Sequence, residues 1–331
     1  MNTSVLKRDS LLPNTETTNS KSATTLNLRT GFLLALLANV IWGASFLASK
    51  YTLQAWGPFT ASSLRFGIAT IALFVVLTLM GKKIELPSTK KQWLTLTILA
   101  TSGFGLLYPM QLAGLKYISS SLSAAIMLTS PLLVLVLGRI VLKESLTTQK
   151  WIALGLGVFG GAILLSNQNG NQAALIKSTE FIVGSLLTLI AAGCLAVSVI
   201  ATRKLSKDLQ TASITLWSMA IGFFELTVAA FIFEENVLAA FTQNASLMSW
   251  MALFFLALVC SAFCFFIWNA ALAMTSPQEI ASSMHIKTPT AVLIGICIAN
   301  ESLTLQICLG ITLVMAGVWL SQQKNNIWSK K

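Results

Sequence analysis

The chain has 331 residues, of which 55% are apolar and only 10% charged, against about 25% charged in an ordinary soluble domain. That balance excludes a soluble globular protein and points to an all-α membrane protein. A net charge of +11 would by itself raise a nucleic-acid partner, but the basic residues cluster beside apolar runs, where they set orientation in a bilayer and call for no nucleic acid.

Residues 1–28 are polar, rich in Thr, Ser and Asn, and hold no apolar centre that could act as a signal peptide; they are expected to form a disordered cytoplasmic tail. Apolar runs then follow at 31–50, 58–80, 93–113, 120–141, 150–166, 181–202, 212–233, 248–273, 277–299 and 305–321. Each is near the length of some 18 residues that crosses a hydrocarbon core of about 30 Å. Ten transmembrane helices with short connections are therefore predicted. If the N-terminus lies inside, cytoplasmic segments carry 16 Lys and Arg, whereas external loops carry two, Lys116 and Lys177. Basic residues stay on the cytoplasmic side, so both termini are predicted to be cytoplasmic, the C-terminal one as a short basic tail, 324–331. The expected location is a cell membrane, foremost a bacterial inner membrane, crossed many times.

The phrase ESLT occurs twice, as Glu144-Ser145-Leu146-Thr147 and Glu301-Ser302-Leu303-Thr304, 157 positions apart. Aligning the two sets Pro131 against Pro289, "SAAIMLTSP" against "ASSMHIKTP", and Gln111 against Asn269. The chain reads as two five-helix halves, 29–170 and 178–323. Five is odd, so the second half enters the membrane upside down. An inverted repeat of this kind is the mark of many transporters, because one site can then face either side as the halves rock.

On "NVIWGASFLASK" (Asn39 to Lys50), "LRFG" (Leu64 to Gly67), the two Pro-to-Glu segments and the Gly-rich fifth helix, the chain resembles the EamA-type permeases of the drug/metabolite transporter superfamily. The resemblance implies a ten-helix permease with a central cavity that exports or exchanges a small metabolite. It also implies that Trp42, Tyr108, Phe266 and Trp268 line that cavity, and as a set they favour an amphipathic substrate over a bare ion.

Each ESLT places a Ser and a Thr where they can cap the following helix, with Glu144 or Glu301 near that helix's positive end, an arrangement worth about 0.3 to 1 kcal/mol. The alternative is a gate made and broken as the halves rock. Pro131 and Pro289 each remove a backbone hydrogen bond inside a helix, and paired kinks place a cavity near the midplane. Gly157 and Gly161 suit a small-residue packing ridge.

Ionisable residues inside the spans cost about 2.5 to 3.5 kcal/mol each at a helix centre. Lys50, Arg139 and Lys143 can snorkel to a surface, whereas Arg65 suits a structural or gating ion pair. Glu225, mid-way along the seventh run, needs a partner from elsewhere. The ninth run carries Glu279, then His285, the only histidine, then Lys287 two residues before Pro289. Their counterparts in the fourth run, Met127 for His285 and Thr129 for Lys287, are uncharged, so Met127, His285 and Lys287 are candidate cavity-lining positions. Lys287 is expected to contact an anionic group of the substrate or to pair with Glu225. His285 can take up protons and couple transport to them, or hydrogen-bond Ser282.

The five cysteines lie within spans without metal-ligand spacing, and no Walker loop, dinucleotide fingerprint or zinc motif is present. The expectation is thus a secondary transporter, not an enzyme, without cofactor or metal, exporting or exchanging a small polar or amphipathic metabolite such as an amino acid or another carboxylate. Its partners are that small molecule, the lipid bilayer and protons as the candidate coupling ion, in a monomer or homodimer. The alternatives are a carrier of a nucleotide-like or phosphorylated metabolite, and a non-transporting sensor or scaffold of the same fold.

Overall fold

The computed structural model describes residues 15–141, 143, 147–165, 179–235, 237, 245–275, 283–301 and 304–323. Among these every regular element is helical. Among the described residues eight helices are long and apolar enough to cross a membrane, and two shorter apolar ones, Thr148–Leu164 and Met284–Ala299, lie among them. Each predicted run is helical over most of its described length. Ile71, Leu79, Phe224 and Phe231 are among many large apolar side chains on the outside, an area far beyond what a water-soluble surface carries.

Helix α1 (Thr15–Thr52) begins well ahead of its predicted limit, so polar residues from Thr15 to Leu28, expected to be disordered, continue the helix. Extension from a nucleated apolar run costs little per residue, since only the first turn is expensive. Helix α2 (Pro58–Leu79) starts with proline, whose missing N–H is no loss at that position. It stops at Gly81, which takes the left-handed conformation (φ 63°) and lets the Lys82 N–H return to the Leu77 carbonyl at 3.0 Å. Helix α3 (Lys90–Ala100) opens with a capping box between Thr89 and Gln92. It passes through a π-helical stretch, Thr101–Leu106, into α4 (Leu107–Leu115), where Pro109 accounts for the widened winding.

The fourth run is two helices, α5 (Ser120–Met127) and α6 (Ser130–Val141), interrupted at Leu128 and Thr129, just before Pro131. Helices α7 (Thr148–Leu165), α8 (Thr179–Leu205) and α9 (Thr211–Phe233) follow. The eighth run joins α10 (Leu247–Phe254) to α11 (Cys264–Met274) through a second π-helical stretch, Phe255–Phe263; no proline or glycine foretells it. The ninth is a 3₁₀ turn, Met284–Ile286, leading into α12 (Lys287–Ala299) shortly before Pro289. Helix α13 (Leu305–Gln322) completes the set, with Thr304 as its expected cap: the hydroxyl accepts the Ile307 N–H at 3.3 Å.

Helix α1 packs between α11 and α12, α2 lies along α9, and α4 along α8, so segments distant in sequence interleave. Helices α7 and α13 approach most closely, and here the predicted ridge needs correction. A Cβ on Gly160 would meet the Gly310 carbonyl, and one on Gly317 the Ala153 carbonyl, whereas Gly161 faces open space. The contact runs through the face that carries Gly160, because a helix turns about 100° per residue and cannot present both neighbours to one partner.

Candidate functional site

The π-helical stretch Phe255–Phe263 is the centre on which several segments converge. Such winding takes backbone groups off the regular ladder and opens them to other partners. The Trp42 indole N–H of α1 donates to the Cys260 carbonyl at 2.8 Å, and the Arg65 Nε of α2 donates to the Ser261 hydroxyl at 2.8 Å. The Cys260 thiol in turn points at the Ile41 carbonyl, 3.8 Å away. Trp42 also packs against Trp268 and Phe265, with ring centroids 5.2 and 5.5 Å apart.

Arg65 is only 3% exposed. Its guanidinium lies over the rings of Tyr108 and Phe66, at 4.6 and 5.2 Å from their centres, and Phe266 packs against the cluster that holds both rings. The Lys287 ammonium lies 5.4 Å from the centre of Phe46. The two cations are close enough to feel one another's charge, and both act on Cys260. Among the described residues neither meets a carboxylate. Cation–π contacts offset about 2 kcal/mol when desolvated, short of the several kcal/mol it costs to remove an ion from water. The site therefore holds an excess of positive charge beside an aromatic wall, an arrangement that attracts an anion.

Several expected roles change here. Glu225 does not pair with Lys287: its Oε1 accepts the Thr101 hydroxyl at 2.6 Å and its Oε2 is buried without a hydrogen-bond partner. The reason is position, since Glu225 reaches from α9 onto the π-helical stretch at Gly105, whereas Lys287 extends over Phe46 of α1. Arg65 likewise bonds a hydroxyl and not an acid. His285 turns away from this cluster, its ring nitrogen meeting the Gln322 amide oxygen of α13 at 3.0 Å. The 3₁₀ turn sets three residues per turn and swings it toward the end of the last helix; its alternative partner Ser282, like Glu279, lies outside the described residues. Met127 is packed in the core with Phe46 and Ala291, so it backs the ring that Lys287 covers. Pro131 and Pro289 sit just after the two helix breaks.

Glu144 lies outside the described residues. Glu301 does not address the following helix but the first turn of α5. Asn300, in the left-handed conformation (φ 49°), turns the chain so that the Glu301 N–H bonds the Gly295 carbonyl at 3.0 Å. Its Oε1 then accepts the Ser120 N–H and hydroxyl at 2.8 and 2.7 Å, and its Oε2 those of Ser121 at 2.9 and 2.6 Å. Lys50 stands 3.3 Å from Oε1, so it binds this carboxylate and does not snorkel. Burial works to raise the Glu301 pKa, but the hydrogen bonds from Ser121 and Ser120 outweigh it and bring the carboxyl down to about 2.

Sequence reasoning missed Ser261, Phe46 and the Ser120–Ser121 pair. Only the last had a legible signal, the serine run 119–121 at the start of an apolar segment, where caps are placed.

The EamA-like transporter family model matches residues 29–166 and 182–322. An uncharacterized transporter of Bacillus subtilis, YyaM, is 26% identical over 289 residues, covering 87% of this chain and 92% of YyaM. An uncharacterized transporter of Archaeoglobus fulgidus is 25% identical over 301 residues, covering 91% of this chain and 100% of the relative. A protein solved by crystallography superposes with a TM-score of 0.62 at 16% identity, over 88% of this chain and 96% of that one, a likeness of fold alone.

Proposed function

The chain belongs to the EamA-like transporter family and is a multi-pass membrane protein, and on that premise we propose that it is a secondary transporter of a small metabolite carrying an anionic group. The single observation that carries the substrate class is the pair of cations inside the helix bundle, buried Arg65 and partly buried Lys287, which meet no carboxylate among the described residues and stand beside the aromatic rings of Tyr108, Phe66 and Phe46. The rings suit an apolar body next to the charge, as in an amino acid or another carboxylate. Lys287 contacts the anionic group, and export or exchange proceeds by alternating access.

In the same reading ten helices form two inverted five-helix halves with both termini cytoplasmic, in the inner membrane of a bacterium. Three pairs of features support the inversion. The π-helical stretches occupy matching places in the third and eighth runs, and the helix breaks precede Pro131 and Pro289. Carboxylates are exchanged between the second and seventh runs. Glu234, after α9, accepts from the Phe59 and Thr60 N–H groups at the start of α2 (2.7 and 3.1 Å), and Glu85, after α2, accepts from the Gln210 N–H at the start of α9 (2.9 Å).

The test is accumulation of a labelled metabolite pool in proteoliposomes, with and without a pH gradient, comparing the intact chain with Lys287→Ala. Selective accumulation lost in the variant is the expected result, and dependence on the gradient identifies protons as the coupling ion. Accumulation retained by Lys287→Ala removes the anion assignment; none by well-folded protein under either condition replaces the transporter with a sensor or scaffold.

A further inference from the structure

We propose that Glu301, together with Lys50, Ser120 and Ser121, is the latch that holds the external gate shut. The inference rests on the transporter reading and on its orientation, in which this end of the molecule faces outward. Three segments far apart in sequence meet at one carboxylate: the last turn of α1 through Lys50, the first turn of α5 through Ser120 and Ser121, and the chain just beyond α12 through Glu301 itself. Four hydrogen bonds and an ion pair converge there, all of them between the first half of the chain and the second.

The packing beneath the carboxylate brings these segments into direct contact. A Cβ on Gly295 would collide with the Ser121 hydroxyl and the Glu301 carboxylate, so α12 lies against α5 with no side chain of its own between them. One turn further in, the facing residues are Ala124, Ala291 and Phe46, small surfaces apart from the single ring. The closure at the carboxylate itself is thus polar, flanked by apolar contacts between the halves, Trp56 against Trp250 on one side and Ile118 and Leu122 in one cluster with Phe181 and Ile307 on the other.

That chemistry suits a gate. An apolar seam loses its whole burial energy when water enters, whereas each of these bonds can be exchanged for one to water at a small net cost. Both partners of the ion pair then remain solvated in the open form. The carboxyl is held at about 2 by these bonds against an ordinary 4.5, so above about pH 4.5 it is ionised whether the latch is closed or open, and there the latch answers to the position of the halves and not to external acidity. The first turn of α5 also presents its unpaired N–H groups and the positive end of its dipole to the carboxylate, which gives closure a defined geometry.

The test uses the full chain in nanodiscs, with Cys194, Cys297 and Cys308, the cysteines that are not buried, replaced and spin labels placed at Lys116→Cys and Ile298→Cys. Both positions are exposed, one shortly before α5 and the other near the end of α12. The intact latch is expected to give one short distance. Glu301→Gln should raise the long-distance population by about tenfold, as the loss of charge-assisted bonds shifts a two-state balance. The double variant Ser120→Ala/Ser121→Ala should move it the same way, and it carries the test by itself if Glu301→Gln fails to fold. Unchanged distances in a folded variant overturn the latch. Uptake measured on the same preparations separates the two claims: unchanged distances beside normal uptake sink the latch alone, whereas no uptake by any chain sinks the transporter reading.

Discussion

Acid should erase what Glu301 contributes to stability, and the window follows from its bonds. The carboxyl is held at about 2 in place of its ordinary 4.5, and its side chain is only 10% exposed, so water screens the bonds little. The difference corresponds to roughly 3 kcal/mol of stabilisation at neutral pH. Because the folded value is the lower one, this contribution is complete above about pH 4.5 and is lost as the pH falls toward 2. The assay is thermal unfolding in detergent from pH 7 to pH 3, taken as the difference between the intact chain and Glu301→Gln so that other titrating groups cancel. At pH 7 the intact chain should unfold roughly 5 °C higher, and by pH 3 the gap should have shrunk by more than half. A gap of the same size at both pH values refutes the assignment of this stability to the ionised carboxylate.

Arg65→Lys keeps the charge but loses the flat guanidinium that spans the Ser261 hydroxyl and the Tyr108 ring, so the half-saturating concentration for uptake should rise about tenfold; uptake kinetics in proteoliposomes read it. Gly160→Val drives a side chain into the Gly310 carbonyl of α13 and should cost about 1 to 3 kcal/mol. Gly161→Val, on the open side, should stay within about 0.5 kcal/mol, and the unfolding temperatures of the two variants make the comparison.

Composition and patterning carried the helices, because a hydrocarbon solvent demands long apolar segments and leaves few alternatives. Pro131 and Pro289 announced the two breaks for a local reason, the missing N–H. The π-helical stretch at Phe255–Phe263 had no such sign: it is fixed by what packs on it, Trp42 and Arg65 from helices some 200 positions earlier. The same distinction explains Glu301. Its own sequence neighbourhood pointed to the helix that follows, and Thr304 does cap that helix, but the carboxylate is claimed by a serine pair about 180 residues away. Lys287 and Arg65 were visible as charges out of place. That Glu225 would leave both of them without an acid could be known only from the directions in which three side chains extend.

The close pairing of α7 with α13 has a consequence for the surrounding lipid. Leu305–Gln322 has 18 residues, roughly 27 Å of helix, and its partner Thr148–Leu164 is no longer, whereas the rod Leu247–Met274 has 28 residues and is longer by roughly 10 Å even with its π-helical stretch rising less per residue. The molecule therefore presents a low hydrophobic wall on one flank and a tall one elsewhere. A membrane of uniform thickness cannot match both, so lipids beside α7 and α13 must compress or the whole protein must lean. Acyl-chain length then becomes a mechanical load on this protein, applied from the side where α7 and α13 pair.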